Sequence, residues 1–398
     1  MILLIQVSGP DEAGLTHRLT RILSGFNVRI LDIGQALIHQ SVALGILVEA
    51  PSAAVIRELE SVGDRISVLE ISEADYEAWV KGQSQSRFFV TLLGRTICAH
   101  HLAAVTGVIT QHGWNIDRID RLSERQSLHV EQARGCIEFG ISGPTKLQEE
   151  VLRSDLLKVT ADFEGDLAFQ HDNLFRRNRR LVAFDMDSTL IQGEVIDQLA
   201  RIAGVGDQVS KITDSAMRGE LDFQQSFRKR VALLKGLPES ALDEVIRTIP
   251  LTDGAERLIG TLRRLGYKTA ILSGGFTFFG RTLQEKLGID YLHANELEIV
   301  DHKVTGNVVS EIIDGEAKAR HLRSIAVKEG ISLEQTIAVG DGANDLPMLN
   351  IAGLGIAFRA KPIVRDSARH SISTLGLDGI LYLLGVSDRE TDLTKTVS

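Results

Sequence analysis

Hydrophobic and polar positions along the chain fall into two regimes that change over near residue 180. An apolar run over residues 2–8 is followed by the turn Gly9-Pro10-Asp11-Glu12-Ala13-Gly14, and Leu15, Leu19, Ile22 and Leu23 then recur at helical spacing. This spacing predicts a strand, a turn and a helix that buries one face. Gly25-Phe26-Asn27 interrupts the helix. Strands are predicted over 28–33 and 42–48, a helix near 53–62 and a strand over 66–71, giving the order βαββαβ. The polar stretch Lys81-Gly-Gln-Ser-Gln-Ser86 separates this from a similar pattern. Here an apolar run over 88–93 and a helix over 101–109 precede Gly113-Trp114-Asn115, which echoes Phe26-Asn27-Val28 with a small indel. A strand over 135–141, a helix over 145–152 and a strand over 157–163 complete the copy. Duplicated βαββαβ modules predict two small α+β sandwiches, at 1–80 and 87–168.

Residues 171–180 are polar and basic, and read as a boundary whose arginines are a solvated lead-in to the next strand. Four apolar residues, Leu181 to Phe184, then stop at Asp185 and Asp187. Such a run suits a parallel strand buried on both faces. Residues 195–250 read as amphipathic helices. A strand beginning at Tyr267 ends in Ser273-Gly274-Gly275. Alternation on either side of Asp301-His302 predicts a hairpin over 296–309. A helix over 317–327 leads to a strand that ends at Gly340-Asp341-Gly342-Ala343-Asn344-Asp345, and a last strand covers 354–358. Strands alternating with helices predict an α/β domain with a parallel sheet over 180–385. The charged tail, 386–398, is expected to be flexible.

Composition narrows the class. The 398 residues, 43% hydrophobic and 24% charged, describe an ordinary globular protein of more than one domain. The net charge of −9 argues against a general nucleic-acid binder. Two cysteines, Cys98 and Cys136, make no disulfide framework and match no zinc spacing, and are expected to be reduced, buried and inert. The start lacks the basic region of a signal peptide and no run is long enough to span a membrane, so the cytoplasm is the expected location.

In parallel sheets, ligands collect outside the carboxyl ends of the strands. Three strand ends carry Asp185/Asp187, Ser273/Gly274 and Asp341/Asp345. Converging carboxylates raise one another's pKa, and a divalent cation removes that cost. Oxygen-only ligands favour Mg²⁺, which suits phosphoryl transfer. One carboxylate can attack phosphorus while another moves the proton. Blander readings stay open for single residues. Asp187 or Ser188 could cap a helix, and Glu194 could offset a helix dipole. Arg230 could be part of a solvated face with Arg228 and Lys229, and Lys318 could pair with Glu316 or Glu311.

Taken together, Asp185-Met-Asp187-Ser-Thr189, Ser273, Lys318 and Gly340-Asp341-Gly-Ala-Asn-Asp345 resemble, in order, the four motifs of the haloacid-dehalogenase (HAD) superfamily. Glu194-Val-Ile-Asp197, Gly219-Glu-Leu-Asp-Phe223 and Ser226-Phe-Arg-Lys-Arg230 narrow the likeness to its phosphoserine phosphatase family, over about residues 180–382. The resemblance implies a HAD-like, Rossmannoid sheet with a helical cap at about 195–250. It implies Asp185 as nucleophile and Asp187 as general acid/base. Asp185, Asp187 (through its carbonyl) and Asp341 would be Mg²⁺ ligands, with Asp345 in support. Glu194 would meet the substrate ammonium, Arg230 its carboxylate, and Ser273, Gly274, Lys318 and Asn344 its phosphate, with Met217 and Phe223 lining the cap.

The Gly9-Pro-Asp-Glu-Ala-Gly14-Leu15 turn resembles that of the ACT domain, a family of amino-acid-sensing modules, and the second copy is similar more loosely. This implies an amino-acid effector, with serine as candidate, and pairing of chains into a homodimer. Two rival readings remain at this stage: a phosphotransferase using the same aspartyl-phosphate, and an amino-acid-binding regulator with a vestigial phosphatase half.

Overall fold

The computed structural model describes residues 1–63, 65–82, 86–125, 127, 134–143, 149–160, 164–309 and 311–393. The chain divides into two compact units, Met1–Gln85 and Ser86–Ser398.

In the first unit, β1 (Ile2–Pro10), α1 (Leu15–Ser24), β2 (Arg29–Ile38), β3 (Ser41–Glu49), α2 (Ala54–Glu60) and β4 (Ile66–Ile71) follow the predicted order, and α3 (Glu73–Gly82) is appended. The sheet is antiparallel with order β2-β3-β1-β4. Leu19 and Leu23 of α1 and Val55 and Leu59 of α2 cover the face made by Leu3, Ile5 and Val7. Gly14 sits at φ 88°, a left-handed turn that glycine adopts without steric cost and that launches α1.

The second unit starts with the same module: β5 (Ser86–Gly94), α4 (Ala99–Gln111), β6 (Asn115–Arg121), β7 (Gly135–Gly143), α5 (Glu149–Thr160) and β8 (Gly165–His171), with sheet order β6-β7-β5-β8. Both edge strands carry a bulge near their start, at Ile30/Asp32 and Ile116/Arg118. The left-handed residue after the first helix is Asn27 and after the equivalent helix Gly113. The counterpart of Asn27 is therefore Gly113.

β9 (Leu181–Phe184) opens the rest of the unit, followed by α6 (Val195–Ile202), α7 (Gly206–Met217), α8 (Phe223–Ala232), α9 (Ser240–Thr248) and α10 (Ala255–Arg264). Then come β10 (Lys268–Phe276), α11 (Thr277–Leu287), β11 (Tyr291–Asn295), the hairpin β12 (Leu297–Val300) and β13 (Lys303–Val308), and α12 (Gly315–Lys328). β14 (Thr336–Gly340), α13 (Leu346–Ile351), β15 (Leu354–Phe358), α14 (Pro362–Ser367), β16 (His370–Ile372), α15 (Ile380–Leu383) and α16 (Asp388–Leu393) complete the chain. The sheet is parallel with order β11-β10-β9-β14-β15-β16. β9 lies between β10 and β14, with Phe184 in register with Ile271 and Val339, and all four of its side chains are buried. Helices α6 to α9 form an insertion whose neck is the Ile191↔Leu251 bridge. The hairpin docks on that insertion, with Gly236 N donating to Val304 O at 2.8 Å.

The second module is welded to this sheet. Leu93, Leu122, Cys136 and Ala168 share one apolar core with Val182, Leu381 and Leu383. Asp166 accepts from Ser373 N and Thr374 N, each at 2.8 Å, and from Thr374 Oγ1 at 2.6 Å. Arg176 pairs with Glu138, and both are nearly inaccessible.

Four expectations are corrected. The end of the predicted helix over 145–152 is helical, but α5 continues to Thr160, so 157–160 is helix and the strand is β8; residues 144–148 and 161–163 lie outside those described. Arg176 and Arg179 are buried, not a solvated lead-in. The tail is not flexible from 386: α16 is anchored by Asp388, which accepts from Glu124 N at 2.8 Å, Arg257 Nη2 at 2.6 Å and Tyr382 Oη at 2.7 Å. Cys136 is buried, but Cys98 is exposed.

Candidate active site

The order of the sheet puts the ends of β9, β10 and β14 side by side. Asp185 follows β9 and donates its N–H to Val339 O of β14 at 2.8 Å, which fixes the chain as it leaves the sheet. One oxygen of Asp185 accepts from Met186 N at 2.7 Å, and the other lies 2.9 Å from Lys318 Nζ. Asp187 accepts from Val195 N at 2.9 Å. It therefore caps α6, the blander of its two readings, while also facing the cleft.

Lys318, on α12, is wholly buried, and its ammonium bridges Asp185 and Asp345, the latter at 2.6 Å. It does not pair with Glu316 or Glu311. Burial alone would lower its pKa, but Asp185 and Asp345 outweigh that and hold it above the ordinary lysine value. The other oxygen of Asp345 accepts from Gly342 N at 2.9 Å, and Thr189 Oγ1 donates to Asp341 at 3.2 Å. Carboxylate oxygens of Asp185, Asp341 and Asp345 all lie within 4.8 Å of one another.

Crowded, desolvated acids hold protons. Burial, then Asp185 and Asp345, push Asp341 up to about 8. Burial, then Asp185, push Asp345 to about 6 even beside Lys318. Asp187 is raised well above the carboxylate range by burial, then by Glu194 and Asp185. An all-oxygen cluster of this kind fits a hard divalent cation, which would remove the cost of ionising it. Asp185, Asp341 and Asp345 each offer it one oxygen.

Ser273 Oγ accepts from Gly275 N at 2.9 Å, shaping the turn after β10. Glycine is needed there. A Cβ on Gly275 would overlap the Asp187 carboxylate, and one on Gly274 would stand 2.9 Å from Cζ of Phe223 on α8. Glu194 and Arg230 face the same cleft from the helical insertion, and the cleft holds about 600 Å³, reaching Asn344 and Ile363 on the opposite side. Ser188 Oγ donates to Glu194 at 3.3 Å. Burial, then Asp185 and Asp197, raise the Glu194 carboxyl, with Arg230 opposing. Arg228 is exposed and outside this cleft, whereas the Arg230 Nε is buried without a hydrogen-bond partner among the described residues. The structure thus brings Asp185, Asp187, Glu194, Arg230, Ser273, Gly274, Asp341 and Asn344 to one cleft, with Lys318 and Asp345 beneath. Phe223 lines it, whereas the side chain of Met217 lies outside those described.

One contributor was missed in the sequence. Asn295, wholly buried at the end of β11, donates from Nδ2 to Gly274 O at 2.7 Å and accepts from Ile313 N at 2.8 Å. It joins the Ser273–Gly275 turn to the segment that launches the helix of Lys318. The only local cue was a polar residue ending an apolar run.

Comparison with known proteins agrees with this arrangement. A model for haloacid dehalogenase-like hydrolases matches residues 182–350, and one for the ACT domain matches residues 1–66. The sheet, the insertion and the cluster of acids are those of a haloacid dehalogenase-like hydrolase. Over the full chain, the phosphoserine phosphatase of Streptomyces coelicolor is 42% identical, across 95% of its length. That of Mycobacterium tuberculosis is 41% identical across 98% of this chain and 94% of its own. A solved structure of a probable phosphoserine phosphatase from Vibrio cholerae superposes with a TM-score of 0.59 at 33% identity, covering 80% of this chain and 90% of that one. The chain belongs to the phosphoserine phosphatase family.

Proposed function

We propose that this chain hydrolyses O-phospho-L-serine to L-serine and phosphate, the closing reaction of serine synthesis. Asp185 is the nucleophile: its oxygen attacks phosphorus, and the bond to the serine oxygen breaks. Asp187 gives that oxygen its proton, then takes one from the water that attacks phosphorus and releases Asp185. The observation that carries this reading is the pairing of two adjacent acids with opposed surroundings. Asp185 is met by the Lys318 ammonium at 2.9 Å, whereas Asp187 is desolvated and its carboxyl is raised well above the ordinary range by burial, then by Glu194 and Asp185.

Lys318 has three N–H donors and spends two on Asp185 and Asp345, leaving one for a phosphate oxygen. Ser273, the Gly274 N–H and Asn344 are assigned the other phosphate oxygens. Glu194 is assigned the substrate ammonium and Arg230 its carboxylate, and the unpartnered Nε of Arg230 supports that choice over Arg228. Asp185, Asp341 and the Asp187 carbonyl are the proposed Mg²⁺ ligands, with Asp345 supporting. Such an ion, when bound, supplies positive charge beside the phosphoryl oxygens. Closure of the helical cap, residues 195–250, excludes water from the first step.

The two modules at 1–80 and 87–168 are proposed to sense an amino acid, with serine as effector. Because the second module shares its core with the catalytic domain, removal of residues 1–85 is the cut that tests this without stripping that core. A homodimer is proposed through the first module, whose edge strand β2 leaves Ile33, Leu37 and Ile38 exposed. Among the described residues no helix is long and apolar enough to cross a membrane, and the two unpaired cysteines suit a reducing cytoplasm. The deciding experiment is phosphate release from L-phosphoserine with and without Mg²⁺. Metal-dependent release supports the proposal. No release, or transfer of the phosphoryl group to an added alcohol in place of water, overturns it.

A further inference from the structure

A second polar cavity lies at the opposite pole of the parallel sheet. Arg177, Arg179 and Arg180 precede β9, and Tyr267 precedes β10, so they flank the amino ends of strands whose carboxyl ends carry Asp185 and Ser273. Together with Leu384 and Val386 these residues line a space of about 530 Å³. That size suits a small metabolite.

The charge there is anomalous. The chain carries −9 overall, yet three guanidinium groups line this cavity and, among the described residues, no carboxylate does. Arg176, next to it, is a further guanidinium, paired with Glu138. Arg179 is 8% exposed, donates from Nη1 to the backbone oxygen of Glu334, and has no hydrogen-bond partner for Nε among the described residues. Among the described residues, the Arg180 side chain reaches only the side-chain oxygen of Asn178, at 3.4 Å. A buried guanidinium with an unmet donor costs stability unless an acceptor completes it. Burial pushes Arg179 down to about 10, with Tyr267 and Glu334 opposing and Arg176 adding to it. A fork of arginines is the protein chemistry best matched to tetrahedral oxyanions.

We propose that this cavity is an effector site for a small phosphate-bearing anion, held by Arg177, Arg179 and Arg180 against the ring of Tyr267. The site is made by three segments: the linker from the second module, the turn between α10 and β10, and the stretch that leads to Asp388. Asp388 is itself bonded to Glu124 of the second module. An anion binding here ties these segments together, and so tightens the second module on the catalytic sheet. This is a different input from an amino-acid effector, and it stands apart from the catalytic assignment.

The test is calorimetric titration of the full chain, in Mg²⁺, with inorganic phosphate, with phenylphosphonate as a non-hydrolysable ester mimic, and with succinate as a dicarboxylate. Arg177→Ala/Arg180→Ala is the comparison, both residues being exposed. Arg180→Gln is the milder substitute should the pair perturb folding. The expected result is a phosphate or phosphonate site beyond the catalytic one, weakened about a hundredfold or more in the variant, whose phosphoserine turnover persists. Binding of phenylphosphonate but not phosphate assigns the site to an ester, and the reverse to free phosphate. Equal stoichiometry and affinity in both proteins, or binding of succinate alone, overturns the proposal.

Discussion

Replacing Lys318 by methionine keeps the length of the side chain and removes the one cation buried between Asp185 and Asp345. Its ammonium lies 2.9 Å from one and 2.6 Å from the other, with no exposure to solvent. Breaking a buried pair by deleting one partner costs about 3–5 kcal/mol, because the other charge stays behind. Carboxylate oxygens within 4.8 Å of each other repel by about 3 kcal/mol or more at an effective dielectric of ~20, which gives the same order. The carboxyl of Asp345 has an escape, since its folded value is already raised to about 6 from 3.8. A raised acid binds a proton more tightly folded than unfolded. Its protonated form favours folding below pH 3.8, and that advantage is lost as pH rises through 6. Without Lys318 this value climbs further. The metal-free variant should therefore lose about 3–5 kcal/mol at pH 8 and only about 1–2 at pH 5. Urea unfolding of both proteins followed by circular dichroism at the two pH values measures this. A loss that is the same at both, or below about 1 kcal/mol at both, would refute the buried triad.

Arg230→Ala should raise KM for phosphoserine at least tenfold (about 1.4 kcal/mol) while barely moving KM for a small aryl phosphate. Arg228→Ala should do neither, and equal effects on both substrates would count against a carboxylate contact. Asp341 and Asp345, raised to about 8 and about 6, make the metal-free fold bind more protons than the unfolded chain across that range. Its stability should then fall as pH rises, and the increase in Tm on adding Mg²⁺ should be larger at pH 8 than at pH 5.5. An increase independent of pH would contradict that. Asn295→Asp keeps the acceptor for Ile313 N but cannot donate to Gly274 O when ionised, and is expected to lower kcat about tenfold or more and, because the site is wholly buried, to lower Tm as well. Loss of Tm without loss of kcat would make Asn295 structural only.

Much of this was legible along the chain because the relevant signals were local. The run Leu181 to Phe184 marked a strand buried on both faces, and that strand lies at the centre of the sheet. The Asp301-His302 pair marked the hairpin turn, and both residues sit at positive φ. Apart from the extent of α5, where the reading went wrong the deciding partner was remote. Residues 157–160 looked like strand from their aliphatic side chains, although Leu152 and Leu156, one helical turn apart, are the pair that α5 buries. Arg176 looked solvated because Glu138, its counter-charge, comes from another strand. Lys318 had plausible acidic neighbours in sequence, but its partners come from β9 and from the turn after β14. Asn295 offers no more than a polar residue at a strand end, since Gly274 and Ile313 meet it only in three dimensions.

The most direct measurement is to mix the Mg²⁺-loaded chain with ³²P-labelled phosphoserine, quench in acid within the first turnover, and map the labelled peptide. The account predicts phosphoryl label on the peptide that contains Asp185, and none in Asp185→Asn. Label on another residue, or turnover with no labelled protein in the wild-type chain and near-normal activity in Asp185→Asn, would contradict it.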